Sequence, residues 1–378
     1  MIILEKNGGS QVSNKFRRNH FTKVTMIKAL GADLFKLGGS LHRHFYSKKI
    51  KHELSLPAPV ISVGNMTLGG SGKTPFVIYV SQKLKKMGKR VIVLSRGYKG
   101  KATQKGGVVT DGNRILLSAY DAGDEPYLMA HRLEDTPIFV GKKRLCNALK
   151  AATVFKPDFF ILDDGFQHFK MKSDMNILLI NALDPFGGEE LFPVGRLREP
   201  LQGMERAHVI VLTSASLIDS TSKDKIVEKI KKYNHKAPIY EVVTKLEGVL
   251  RQDRKEELTL EELRTKKVFL FCALGCPQKF KMEIEKNDVT VVGELFFKDH
   301  HAYTKSDIVR LIQLAVQKNA DILLTTEKDI VKLKSFHEII YYLKISTEIV
   351  QDENPFFSLL TKLRHCRCEE QSDVANLP

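Results

Sequence analysis

Val60-Ile61-Ser62-Val63-Gly64-Asn65 leads through Met66-Thr67-Leu68 into Gly69-Gly70-Ser71-Gly72-Lys73-Thr74-Pro75. The order is a β-branched run, a glycine-rich turn and the start of a helix, where a proline's missing N–H costs nothing. Glycines let successive backbone N–H groups converge on phosphate oxygens without a Cβ in the way; Lys73 adds a point charge, and Thr74 places a hydroxyl for Mg²⁺. The stretch Thr67, Leu68, Gly69, Gly70, Ser71, Gly72, Lys73 and Thr74 therefore reads as a cradle for a nucleotide triphosphate. It departs from GxxxxGK[ST] because Thr67 stands six before Lys73. A glycine-rich hairpin turn is the plainer alternative.

Outward from this turn, short apolar runs alternate with helical segments up to about residue 215. The runs are Val60–Val63, Val91–Leu94, Ile138–Val140, Phe159–Leu162, Ile177–Ile180 and Val209–Leu212. Nearly continuous apolar strands separated by helices predict a parallel sheet covered on both faces. A charged stretch, Ser220–Lys236, predicts a solvated helix, and Ile239–Asp253 predicts a crossing between domains. A second α/β unit follows, with strands at Val268–Cys272, Val289–Val292, Ile322–Thr325 and Ile339–Leu343, and helices near 304–318 and 355–364 packed against it.

The chain has 378 residues, 43% of them hydrophobic, enough for two domains with cores of their own. Its formal net charge of +16 favours an anionic partner. Trp is absent and no basic box is interleaved with aromatics, so no nucleic-acid partner is expected. Cys146, Cys272, Cys276, Cys366 and Cys368 form no paired metal signature; their odd number, without a recognisable secretory signal, points to a reducing compartment.

Residues 1–25 read as a mobile extension. In 26–52, Ile27, Leu30, Leu34, Leu37, Leu41 and Phe45 draw one stripe along a helix. From Lys15 to His52 ten Lys or Arg face a single acid, Asp33. A basic helix with one apolar face suits an anionic membrane surface, and equally suits docking on the protein's own core. The expected organisation is then a nucleotide-binding and catalytic domain over 53–238, a second α/β domain over 239–365 and a disordered tail over 366–378.

Phe159-Phe160-Ile161-Leu162 ends in Asp163-Asp164-Gly165, about 90 residues after the glycine turn. Acids at the C-terminal end of a buried parallel strand face the ligand crevice, where phosphate-loop enzymes hold Mg²⁺ directly or through water. Asp163 is the expected metal ligand with Thr74; Asp164 joins Lys73 in the catalytic set. A guanine-specific Asn-Lys-x-Asp is missing, since Asn181-Ala182-Leu183-Asp184 lacks the Lys and Thr326-Glu327-Lys328-Asp329 has it displaced. Leu68 stands where membrane-partitioning switch ATPases carry a signature Lys. These absences favour ATP.

The chain resembles the tetraacyldisaccharide 4′-kinase family, the lipid A kinases of Gram-negative bacteria. The resemblance is carried by the Ser62–Asn65 and Gly69–Pro75 segments, Leu94-Ser95-Arg96-Gly97-Tyr98 and Gly123-Asp124-Glu125-Pro126. It continues in Asp163-Asp164-Gly165-Phe166-Gln167-His168, Gly195-Arg196-Leu197-Arg198-Glu199-Pro200-Leu201 and Thr326–Asp329. The resemblance implies a P-loop NTPase-like core, a smaller second α/β domain and a membrane-surface helix. It also implies transfer of the ATP γ-phosphoryl group, with Mg²⁺, to the 4′-hydroxyl of an acylated disaccharide 1-phosphate, at the cytoplasmic face of the inner membrane. For the proton acceptor it points to Asp124 working with His300, the adjacent His301 being a competing candidate. Arg96, Arg144, His168, Arg198 and Glu199 match polar positions that line the family's cleft. The rival from another class is a membrane-tethered regulatory ATPase that switches partner binding. Oligomeric state is left open.

Overall fold

The computed structural model describes residues 54–333 and 335–370, with side chains as far as Leu363. The expected extension 1–25, the whole of the basic segment 26–52 and the last eight residues of the expected tail lie outside the described residues.

The strands are β1 Val60–Asn65, β2 Val91–Ser95, β3 Gly107–Thr110, β4 Ile138–Val140, β5 Phe159–Asp163, β6 Met175–Asn181 and β7 Val209–Thr213. They continue as β8 Ile239–Arg251, β9 Glu257–Leu258, β10 Lys267–Cys272, β11 Thr290–Phe296, β12 Ile322–Thr326 and β13 Ile340–Ile349. All thirteen join one sheet in the order β11-β10-β12-β13-β8-β7-β6-β1-β5-β2-β4-β3, with β9 paired to β8 off that path. β1 pairs in parallel with β5 and β6, which brings the glycine turn after Asn65 beside the acids that end β5. Every residue of β1, β2 and β5 is buried, as apolar runs covered by helices on both faces should be.

The segment expected to cross between domains is itself a strand. β8 runs parallel to β7 through Val242, then antiparallel to β13 along its length, from Val242 opposite Ile349 to Arg251 opposite Tyr341. The two halves thus share a sheet while keeping separate cores on either side of the β8–β13 ribbon.

The C-terminal helix departs from expectation. It spans Asn354–Glu370, beyond the expected end at 364. Its Phe356, Phe357 and Leu360 do not cover the second unit but enter the first core, against Phe76, Tyr79 and Tyr240. The physical reason is the length of β13: Ile349 ends beside Val242, on the β7 side, so the helix starts over the first half. The helix Ser220–Tyr233 is solvated except for Ile226 and Ile230, which face the core. Among the described residues no helix is long and apolar enough to cross a membrane.

Candidate active site

The glycine turn leaves β1 and enters the helix Lys73–Lys86 through Gly72, whose φ of 78° is left-handed and favours glycine. Gly69, at φ 114°, makes a second such bend. The turn is held on both sides. Leu68 N donates to the Arg196 carbonyl at 2.7 Å and Arg196 Nη2 donates back to the Leu68 carbonyl at 2.7 Å, while Thr67 bridges to Leu197. Thr213, at the end of β7, donates to the Ser71 carbonyl at 3.1 Å.

Lys73 turns back toward the sheet, donating to Asn65 Oδ1 at 3.0 Å and lying 3.4 Å from Asp164. Asp164 sits in the left-handed region, φ 52°, which swings its carboxylate toward the turn. Arg198 Nη1 donates to both of its oxygens at 2.8 and 3.0 Å. Burial would raise the Asp164 carboxyl, but Lys73, Arg198 and Arg144 overcome it and hold the group well below the carboxylate range. Asp163 experiences the opposite balance. Burial, then the charges of Glu125 and Asp164, push it up to about 6. Its Oδ2 accepts from Ser95 Oγ at 2.8 Å, while Oδ1 is buried with no hydrogen-bond partner.

An orphaned buried oxygen surrounded by like charge is a place where a cation lowers the energy. Thr74 lines the same cavity. Magnesium needs only one or two protein oxygens when phosphates and water complete its shell, so the donor set fits. Among the described residues no cluster of three His, Cys, Asp or Glu side chains gathers to hold a metal by itself.

These groups line a cavity of about 900 Å³ between the two halves of the sheet. Part of its wall comes from the second half. His300, itself at φ 61°, places Nδ1 at 2.9 and 3.0 Å from the two oxygens of Asp124, the first residue of the helix Asp124–Arg132. Tyr98 packs edge-on against the imidazole at 5.1 Å. Asp124 is only 7% exposed, so it is His300 that faces the cavity. Burial would raise the Asp124 carboxyl; the His300 hydrogen bond and the Lys328 and Lys332 charges bring it below its ordinary value. His301 is turned away, bonded to Asp307 at 2.9 Å and stacked on Phe297.

The other expected residues divide. Arg96 is exposed at the cavity. Arg144 is buried and donates to the main-chain carbonyls of Asp163 and Asp164, bracing the acid turn. Glu199 also lines the cavity but accepts from Arg206 and Gln167 at 2.8 Å. His168 is not among the lining residues; burial and the Arg144 charge push its imidazole down to about 4, so it is neutral.

Further residues had no role assigned from sequence. Lys328 donates to Glu125 Oε1 at 2.9 Å, joining the second half to the residue after Asp124. The charges of Glu125, Asp124 and Asp299 overcome burial and raise its amine. Arg132, at the end of the same helix, pairs with Glu327. Glu125, Glu327 and Lys328 lie in the motifs Gly-Asp-Glu-Pro and Thr-Glu-Lys-Asp, which was the one available signal. Arg196 gave none beyond its place in the 195–201 segment.

Comparison with known proteins identifies the family and the fold. The family described as tetraacyldisaccharide-1-P 4′-kinase matches residues 26–364. The tetraacyldisaccharide 4′-kinase of Halothermothrix orenii is 37% identical over 346 residues, covering 88% of this chain and 87% of that one. That of Elusimicrobium minutum is 34% identical over 353 residues, covering 92% and 91%. A crystal structure of LpxK from Aquifex aeolicus in complex with ATP superposes with a TM-score of 0.69 at 31% identity, covering 89% of this chain and 98% of that chain. Motifs, sheet order and relatives converge: the chain belongs to the tetraacyldisaccharide 4′-kinase family.

Proposed function

We propose that this protein transfers the γ-phosphoryl group of ATP to the 4′-hydroxyl of an acylated disaccharide 1-phosphate. The observation that carries the reading is the pairing of Asp124 with His300, which joins the two halves of the protein at the cavity that the phosphate loop lines. The loop amides of 69–74 and Lys73 hold the triphosphate. Thr74 and Asp163 are the residues that would hold Mg²⁺, with Asp164 beside them. When bound, the ion neutralises phosphate charge and orients the terminal phosphate.

The acceptor oxygen attacks the γ-phosphorus as the bond to the β–γ bridging oxygen breaks; ADP leaves, and the hydroxyl proton passes to the Asp124–His300 pair. Transfer of this kind is mostly positioning, so the cross-cavity contacts matter as much as the base. Arg96 is exposed at the cavity and, among the described residues, has no hydrogen bond or ion pair, so it suits the acceptor's phosphate. Arg144 and Arg198 act by holding the acid turn, and Glu199 by holding Gln167 and Arg206 beside it. Residues 26–52 bring the enzyme to the anionic cytoplasmic surface where an acylated acceptor resides.

The test supplies γ-labelled ATP with and without the acylated disaccharide 1-phosphate. Label in the lipid supports the reading. Label released only as free phosphate, at the same rate with and without lipid, would instead favour a regulatory ATPase.

A further inference from the structure

Beside the Asp124–His300 pair the second half buries two further charges that phosphate binding does not use. Asp329, in the short helix Glu327–Ile330, is fully buried, and Lys332, just past that helix, places Nζ 2.6 Å from its Oδ1. Lys and Asp are buried this deeply only when paired, yet such a pair adds little net stability over apolar packing. Its retention points to a task of position.

The pair touches both members of the proton-accepting dyad. Asp329 Oδ2 accepts from Thr326 Oγ1 at 2.8 Å and from the Ala273 N–H at 3.1 Å, and the Ala273 carbonyl accepts from the His300 N–H at 3.3 Å. One residue therefore links the Asp329 carboxylate to the backbone of His300. On the other side Lys332 Nζ lies 3.9 Å from Asp124 Oδ2, the one ammonium within 4 Å of Asp124 among the described residues, with the Tyr303 ring 5.3 Å away.

The charged groups around Asp124 come from four places. They are His300 after β11, Lys328 in the short helix, Lys332 beyond it and Glu125 next in its own helix; Lys328 is engaged by Glu125 and Asp299, and Asp299 lies 3.7 Å from His300 Nε2. Burial works against ionisation of Asp124, and the His300 hydrogen bond and the Lys328, His300 and Lys332 charges outweigh it. An ionised Asp124 accepts from Nδ1–H, which fixes the imidazole tautomer and leaves Nε2 as the base.

We infer that Lys332, anchored by Asp329, is a positioning residue for phosphoryl transfer: it keeps Asp124 ionised, and so keeps the His300 imidazole oriented to take a proton at Nε2. The inference rests on the reading that Asp124 and His300 receive the acceptor's proton.

The test is a pH titration, by NMR, of the full chain labelled at histidine, the His300 signal being the one lost in His300→Gln. In Lys332→Met, which drops the charge and keeps the bulk, the apparent midpoint of the coupled pair should rise by about one pH unit, because a proton on either group is no longer opposed by the ammonium. The acid limb of kcat, taken at saturating Mg²⁺, ATP and acceptor so that Asp163 is occupied, should move up with it. Lys332→Met leaves Asp329 buried without its cation. Should that variant not fold, Lys332→Met combined with Asp329→Asn leaves no charge unpaired, and the midpoint should still rise, by less because the two lost charges oppose each other. A midpoint within about 0.2 unit of wild type in the folded variant overturns the inference, as does a midpoint that rises while the acid limb stays in place. If wild type leaves the lipid unlabelled, the kinase reading fails instead.

Discussion

The Nη1 of Arg132 donates to both carboxylate oxygens of Glu327 at 2.9 Å, joining the last residue of the helix Asp124–Arg132 to the second half of the protein. The first residue of that helix meets His300, and the next, Glu125, meets Lys328. One nine-residue helix is thus tied to the second half at both ends, which constrains where the Asp124–His300 pair sits relative to the glycine loop.

Asp124→Ala should lower kcat by about a hundredfold or more, the usual contribution of a positioned acid–base group, with ATP affinity retained. His300→Ala should do the same, and the double variant should cost little more than either alone, because the two act as a unit. Steady-state kinetics and nucleotide titration check this; turnover within a few fold of wild type would remove Asp124 from the mechanism.

Arg132→Met should destabilise the protein by on the order of 3 kcal/mol, because it leaves Glu327 buried without its cation. Burial already raises the Glu327 carboxyl, and Arg132 is the main group opposing it. Urea unfolding reads the loss. A change under 1 kcal/mol would mean the pair is well solvated and no latch.

Asp163 makes a pH prediction with a definite sign. Its carboxyl rises to about 6 in the folded, metal-free protein, whereas an unfolded aspartate titrates near 3.9. The folded state therefore binds a proton more readily. Its stability contribution is complete below the unfolded value and is lost as pH rises through about 6. Between pH 7.5 and 4.5, wild type should gain on the order of 2 kcal/mol relative to Asp163→Asn. Parallel stability curves for the two proteins would show that Asp163 titrates normally. In the same range Mg²⁺ should bind wild type more weakly as pH falls below 6, since protonation competes with the ion.

Deleting residues 1–46 should release the protein from vesicles containing anionic lipid, and high salt should weaken the attachment of the full chain. Sedimentation with vesicles measures both. Continued sedimentation of the truncated protein would place the contact elsewhere.

Ten of the thirteen strands were legible in the sequence, because strands buried on both faces are written as unbroken apolar runs such as Phe159–Leu162 and Val209–Leu212; β3, β8 and β9 carry no such run and were not. The phosphate loop and the acids that end β5 were legible for a related reason. Their chemistry depends on backbone torsion and on strand ends, which are local properties of the chain. The C-terminal helix was recognised but assigned to the wrong half, since periodicity shows that Phe356 and Phe357 share a buried face without saying which core receives it.

What the sequence determined by itself, then, was the phosphate cradle, the adjoining carboxylates and the alternation of strands and helices. Local geometry and hydrophobic pattern suffice for those. Only the tertiary structure decided that His300 and not His301 meets Asp124, that Arg144 and Arg198 brace the acid turn, and that one sheet runs through both halves by way of β8 and β13. Each of these is a contact between residues far apart in the chain. Burial and charge select it only after the backbone has closed around the cavity.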